Sequence, residues 1–431
     1  MGKNGRFGKV YGKVVGKDAS DRPGWKGPSY VKKKPNLPKE KPTKDDEEED
    51  VVPQHAVPLE LQQLLLNIFR DAFAEVIASD NRQQLLQDVK NALYERDFAR
   101  AFGRQDYLET YSIRWSPSRA LCYQSILVDI SEHLVEIFPI CGAIHFEAEV
   151  ESVTNLNDSA LHAVCIGGGA AEVVAFGGFL RFLNDTVSRR IAEKDSAISE
   201  GITRLSISGQ VSDIGPSKLG SSDVGPTTSA MTSRGSTMSS GLNIVLVDNA
   251  QWGEVAHKLT DSILTPPSIS KYASASAKAA NTPLLQAKDI NTSFLAEDVL
   301  KMTASQTNTL VGNIPILLTL LFTLNELYTS SISSTTKFLL NLTMFIKPGS
   351  LLLVVDSPGS YSETTVGGSS KKYPMHWLLD HTLLETAKSD DKAVWQKLVS
   401  DDSKWFRIPE DLRYPISLEN MRYQIYLYQR L

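Results

Sequence analysis

The run Val164-Cys165-Ile166-Gly167-Gly168-Gly169-Ala170-Ala171-Glu172 puts three glycines where an apolar strand pattern gives way to a helical one. Glycines there let the backbone turn sharply and approach a ligand, and the following helix start offers unpaired N–H groups. Such a turn gains meaning from the residues downstream of it. The next apolar run, Ile244-Val245-Leu246-Val247, ends in Asp248, and a third strand ends at Ala296-Glu297-Asp298-Val299. In nucleotide-binding α/β sheets the acid ending the second strand accepts hydrogen bonds from ribose hydroxyls. Asp298 can accept from an adenine amino group. A helix N-cap is the alternative for Asp248 taken alone, and two acids in order after a glycine-rich turn weigh against it. The customary gap between turn and acid is about twenty residues. Here it is nearly eighty, and a Ser/Gly-rich insertion accounts for the excess.

A nicotinamide-type loop reads G-x-G-x-x-G, whereas this one reads Gly167-x-Gly169-x-Ala171 with Glu172 directly behind. A carboxylate at the helix start repels a pyrophosphate but pairs with the cationic amino group of S-adenosylmethionine, so the electrostatics favour the methyl donor. Asn325 and Glu326, in Thr323-Leu324-Asn325-Glu326-Leu327-Tyr328, follow the fourth strand, and Asp356 ends the fifth. All three stand at the carboxyl edge where ligands of open α/β sheets gather. They are the candidate catalytic groups, although Asn325 can equally cap a helix. The polar stretch from Asp356 to Glu363 is expected to be a loop on that edge. Ahead of the sheet, Arg114 and Arg119 flank Ser116-Pro117-Ser118, a turn that suits forked hydrogen bonds to a carboxylate or phosphate. Ion pairing to the acidic body is the alternative for each arginine.

Strand-like runs alternate with helical patterns in the order that should position these groups. The strands are expected at Leu161 to Ile166, Asn243 to Val247, Phe294-Leu295, Ile314 to Leu324 and Leu351 to Val355. Helices are expected near 170–183, 252–263, 333–345 and 376–387. This is the pattern of an α/β, doubly wound, mostly parallel sheet. Arg422 to Tyr428 alternates aromatic residues and suits an antiparallel edge strand. Between about 59 and 100, apolar positions at helical spacing break at Ser79-Asp80, which predicts two amphipathic helices in an N-terminal helical region (53–150) ahead of the catalytic domain (151–431). Flexible insertions are expected at about 192–241 and 266–281.

Residues 1–52 are expected to be disordered. Their first 44 residues hold thirteen Lys or Arg against three acids, and an acidic run, Asp45 to Asp50, closes the tail. That basic stretch suits RNA phosphates, an import receptor or solvent. The three cysteines are too few and too scattered for a disulfide framework or a zinc site, so no metal is expected and a reducing compartment is. The most apolar window is about half the length of a membrane helix, so no membrane span is expected.

Taken together, these segments resemble the fungal 25S rRNA (uridine-N3)-methyltransferase family. The resemblance covers about residues 105–431. It rests on Tyr111 to Leu121, Cys165 to Glu172, Thr323 to Tyr328, Val355 to Ser362, Trp405-Phe406-Arg407 and Glu419 to Gln424. It implies a class I (Rossmann-like) methyltransferase sheet, S-adenosylmethionine as cofactor, ribosomal RNA or a pre-ribosome as partner, and a nuclear or nucleolar location, with the cytoplasm as a further one. The chain departs from methyltransferases generally in having Cys165 where an acid often stands and Ala171 where a third glycine often stands. An inactive ribosome assembly factor on the same fold, or a protein methyltransferase, are the alternatives.

Overall fold

Strands covered on both faces need apolar side chains at every position, and Leu317–Leu321 and Leu351–Asp356 are buried throughout. In the computed structural model, described for residues 57–145, 160–207, 241–279, 281–359, 361–366, 369–388 and 392–431, they lie at the centre of one sheet. The basic tail, its acidic run and most of the first insertion lie outside the described residues.

The sheet has seven strands in the order β3-β2-β1-β4-β5-β9-β8. They are β1 (Ala160–Ile166), β2 (Gly241–Asp248), β3 (Ile290–Ala296), β4 (Leu317–Leu321), β5 (Leu351–Asp356), β8 (Trp395–Phe406) and β9 (Met421–Arg430). The first five are parallel, while β9 runs antiparallel to both β5 and β8. From β1 the chain winds outward to β3, then crosses to β4 on the other side. The carboxyl ends of β1 and β4 therefore form the topological switch point, where the helices on either side diverge and leave a crevice.

Side-chain alternation divides the core between the two faces. Leu161, Ala163 and Cys165 of β1 pack with α1 (Leu59–Ala72), α5 (Gln105–Arg114), α6 (Ser116–Asp129), α9 (Ala170–Ile207) and α10 (Gly253–Ile263). Val164 and Ile166 pack on the opposite face with α12 (Ala304–Val311), α13 (Leu324–Ser330), α14 (Ile332–Phe345) and α15 (Met375–Asp380). The expected N-terminal helices are present. The first divides into α1 and α2 (Ala74–Ala78), the second into α3 (Arg82–Tyr94) and α4 (Phe98–Phe102), with the break at Ser79. Short helices α7 (Ser131–Leu134) and α8 (Gly142–His145) follow α6, and α11 (Ala275–Ala279) lies in the second insertion. Among the described residues no helix is long and apolar enough to cross a membrane.

Four sequence expectations need correction. Helix α9 runs to Ile207, well into the stretch expected to be flexible. Ser and Gly counted over the whole window hide the helix formers Arg, Ala, Glu, Lys and Ile between 189 and 207. Strand β9 is antiparallel but is not the edge. Strand β8 covers it, and its polar run slips register between Lys397 and Val399 and between Asp401 and Lys404, bulges that break the simple alternation and suit an edge strand. Helix α12 was not expected, although Thr303 and Gln306 form a full capping box in front of it. The stretch expected to be a loop through Glu363 is instead a strand from Tyr361, β6 (Tyr361–Val366), in a hairpin with β7 (Ser369–Pro374).

Candidate active site

The end of β1 is shaped by contacts that only glycine permits. Gly167 has φ +67°, and a Cβ there would stand 2.3 Å from Thr323 Oγ1, the residue just beyond β4. Its N–H donates to Val247 O at 2.8 Å, which ties the turn to β2. Gly168 packs down onto Cys165 and Leu246, and Gly169 lies against the Trp252 ring, where a Cβ would come within 3.0 Å. Glu172 accepts from the Gly169 N–H at 2.9 Å, closing the first turn of α9 as half a capping box. Burial raises its carboxyl above the ordinary range, against the pull of that hydrogen bond. Gly167→Ala must therefore strain the left-handed backbone and displace Thr323 together. We expect at least a tenfold loss of donor affinity by calorimetry, about 1.4 kcal/mol, a modest part of the cost of such strain. Wild-type affinity in that variant would show that the turn is not part of the binding site.

Two adjoining cavities open along this edge, spanning about 540 Å³ and 770 Å³ of space that is continuous with solvent. They share Phe102, Gly167, Asp248, Thr323 and Glu326. Gly169, Glu172 and Arg119 line the first, and Asp298 lines the second. Gly167, Asp248 and Asp298 thus converge on one crevice despite their separation in sequence.

The charges in this crevice are poorly neutralised. Asp248 accepts from the Ala250 N–H at 2.7 Å, yet burial pushes its pKa up to about 6, and no cation lies within ion-pair distance among the described residues. Glu326 reaches solvent at the junction of the two cavities. The protein crowding it pushes its pKa up to about 7, with Arg119 working against the rise and Asp356 and Asp248 adding to it. The Arg119 guanidinium donates to the Tyr111 hydroxyl and lies over the rings of Tyr111 (5.4 Å) and Phe322 (5.0 Å). Burial works against its charge, but Tyr111, Tyr123, Glu172 and Glu326 more than offset that, so it stays protonated. No carboxylate pairs with it directly among the described residues. Asp298 is partly engaged, accepting from the Leu300 N–H at 3.0 Å and pairing with Lys301 at 2.8 Å.

Four of the residues singled out by sequence do not line either cavity. Arg114 turns away to pair with Glu419 and donate to Ser417 O. Asp356 is buried and accepts from the N–H groups of Asn325 (3.0 Å) and Ser357 (2.7 Å), so it holds the start of α13. The Asn325 side-chain oxygen is buried without a hydrogen-bond partner, and Gly168 lies beneath the turn. The structure adds an aromatic wall that sequence reasoning missed. Phe102, Tyr111 and Trp252 meet at 5.1–5.8 Å between centroids, and Phe322 stacks on Tyr123 at 6.3 Å. Phe322 has φ +59°, an outlier for a bulky side chain, as expected where backbone strain gathers at a site. The available signal was Trp252, four residues past Asp248.

A sequence family described as "Putative SAM-dependent methyltransferase" matches residues 69–429. The chain belongs to this family. It is 31% identical over 377 residues to the 25S rRNA (uridine(2843)-N(3))-methyltransferase of Saccharomyces cerevisiae, covering 85% of each chain. Solved structures resembling it include SAM-dependent methyltransferases from Methanosarcina mazei (9% identity, TM-score 0.27, covering 65% of this chain and 97% of that one) and Clostridium acetobutylicum (8%, 0.24, 70% and 90%). These faint likenesses add nothing to the strand order itself. The protein is a SAM-dependent methyltransferase with a class I sheet. The residues present fit that donor: the turn lets backbone approach closely, and among the described residues Asp248 is a half-buried acceptor with no cation paired to it and Arg119 a guanidinium with no carboxylate paired to it. Among the described residues no group of three or more His, Cys, Asp or Glu could hold a metal ion.

Proposed function

We infer that this enzyme methylates ring nitrogen 3 of a uridine in large-subunit ribosomal RNA. The observation that carries the reading is the position of the Glu326 carboxyl at the mouth of the donor crevice, where the surrounding protein pushes its pKa up to about 7, in a chain whose three thiols are all buried. Methylation at ring carbon 5 through a cysteine adduct needs a reactive thiolate. Cys122, Cys141 and Cys165 are buried, and burial pushes each thiol well above its ordinary value. Attack by a ring nitrogen needs only proton removal and placement. The name of the yeast relative specifies that same atom.

In this reading Asp248 accepts from the donor's ribose hydroxyls, Asp298 serves the adenine side and Arg119 holds the methionine carboxylate. Bound S-adenosylmethionine supplies an electrophilic methyl group. Glu326 takes the N3–H proton as the nitrogen gains its bond to carbon, and releases that proton to solvent afterwards. Asp356 positions Glu326 by fixing the start of α13. Phe322 and Tyr123 offer apolar faces beside the base. A ribosomal RNA substrate supports a nuclear or nucleolar location, with the basic tail contacting phosphates. Purified enzyme, S-adenosylmethionine and unmodified large-subunit rRNA should yield one N3-methyluridine, mapped by mass spectrometry of nuclease fragments. Methyl transfer to another atom of RNA, to protein, or to neither overturns the reading.

A further inference from the structure

Outside the crevice several aromatic side chains are exposed, and one of them, Trp405, is flanked by two guanidiniums. Trp405 is 54% exposed near the end of edge strand β8, directly opposite Arg422 of β9. The guanidinium carbons of Arg407 and Arg422 lie 5.4 Å and 5.9 Å from its ring centroid. The following residue, Phe406, is buried on the other face of the sheet, so the strand is already anchored without Trp405. Arg422 also donates to Ser403 Oγ at 2.8 Å, which steadies it beside the ring.

The position of this cluster ties it to the catalytic edge. Because β9 is antiparallel to β5, its first residues extend past the carboxyl end of the parallel strands. Gln424 pairs with Asp356 and donates to Ser357 O, and Arg422 lies two residues further out. The cluster therefore stands on the side where the crevice opens. Across the sheet, β4 and β8 are separated by three strand spacings, on the order of 14 Å.

Its chemistry also narrows the occupant. No carboxylate lies within ion-pair distance of Arg407 or Arg422 among the described residues. The nearby acids are otherwise engaged: Asp401 accepts from the Ser403 N–H at 2.8 Å and Asp402 from the Tyr426 hydroxyl at 2.6 Å. A flat aromatic face beside unpaired guanidiniums matches a base with its phosphates.

We propose that Trp405, Arg407 and Arg422 form a docking platform for a single-stranded stretch of the RNA substrate, a few nucleotides from the target uridine. The proposal rests on the RNA reading above and adds to it a second point of contact. The test is fluorescence anisotropy of the full-length protein with labelled oligouridine of about 12 nucleotides, over a range of KCl. Trp405→Ala should weaken binding about 10- to 100-fold, and Trp405→Phe should restore most of the loss. The Arg407→Gln, Arg422→Gln pair should reduce the slope of log K against log salt by about 1.4, roughly 0.7 for each phosphate contact to a single strand. S-adenosylmethionine affinity by calorimetry should stay at the wild-type value in every variant. RNA affinity that survives Trp405→Ala, in an enzyme that still forms N3-methyluridine, overturns the platform and leaves the activity standing. A wild-type protein that neither binds oligouridine nor methylates RNA overturns both.

Discussion

Glu326→Gln is expected to lower kcat by about 10²- to 10⁴-fold, the usual contribution of a positioned proton acceptor, with S-adenosylmethionine affinity within a few-fold of wild type. The ring N–H of uridine is a weak acid, and the attacking nitrogen must lose that proton as the new bond forms. A carboxylate of ordinary acidity is a poor base for it. Crowding by protein at the junction of the two cavities, with Asp356 and Asp248 nearby and Arg119 in partial opposition, raises Glu326 to about 7, nearer the optimum for a base at neutral pH. This fixes the sign of the pH dependence. Below 7 the carboxyl is protonated and cannot accept, so wild-type kcat should climb from pH 6 to 8 and then level. Glutamine keeps the shape but cannot take the proton, so the inflection near 7 should vanish. Single-turnover rates across that range check both points. A Gln variant that keeps the inflection would assign it to another group and leave Glu326 with a structural part only.

The centre of the sheet was legible because its strands, β4 and β5 above all, are apolar and separated by helical periods, which is what burial on both faces demands. Gly167, Asp248 and Asp298 could be placed from sequence because each stands at a strand's carboxyl end, and strand order brings those ends to one edge. Side-chain direction was not legible to the same degree. Asn325, Glu326 and Asp356 share that edge, yet only Glu326 faces the crevice, since the first residues of α13 turn the Asn325 side chain inward and recruit Asp356 as a cap. Arg114 and Arg119 lie five residues apart across a helix junction, so one turns out to Glu419 and the other in toward Tyr111. The aromatic wall joins the neighbouring helices α4 and α5 to the β2–α10 turn, which lies far along the chain. Periodicity within any one of them carries no sign of the others.

Asp248→Asn should change two properties in opposite directions. Donor affinity should fall about 10- to 100-fold, since a charge-assisted hydrogen bond to a ribose hydroxyl is worth roughly 1.5–3 kcal/mol. Stability without donor should rise at alkaline pH. Burial lifts the folded-state pKa of Asp248 to about 6, above its ordinary 3.8, so the folded protein holds this proton more tightly than the unfolded chain does. The stability gained from that proton is complete below about pH 4 and is lost as pH climbs through 6. At pH 8 the wild type carries the whole penalty of a desolvated carboxylate, on the order of 1–3 kcal/mol. Asparagine carries none, and its oxygen can still accept from the Ala250 N–H. Thermal melts without donor should therefore place the variant a few degrees above wild type at pH 8, with the gap closing as pH falls below 6. Saturating S-adenosylmethionine should reverse the order, because the wild type gains more from mass action with its tighter ligand. A variant less stable than wild type at pH 8, or one that binds the donor equally well, would mean that the Asp248 charge is held for the fold rather than for the ligand.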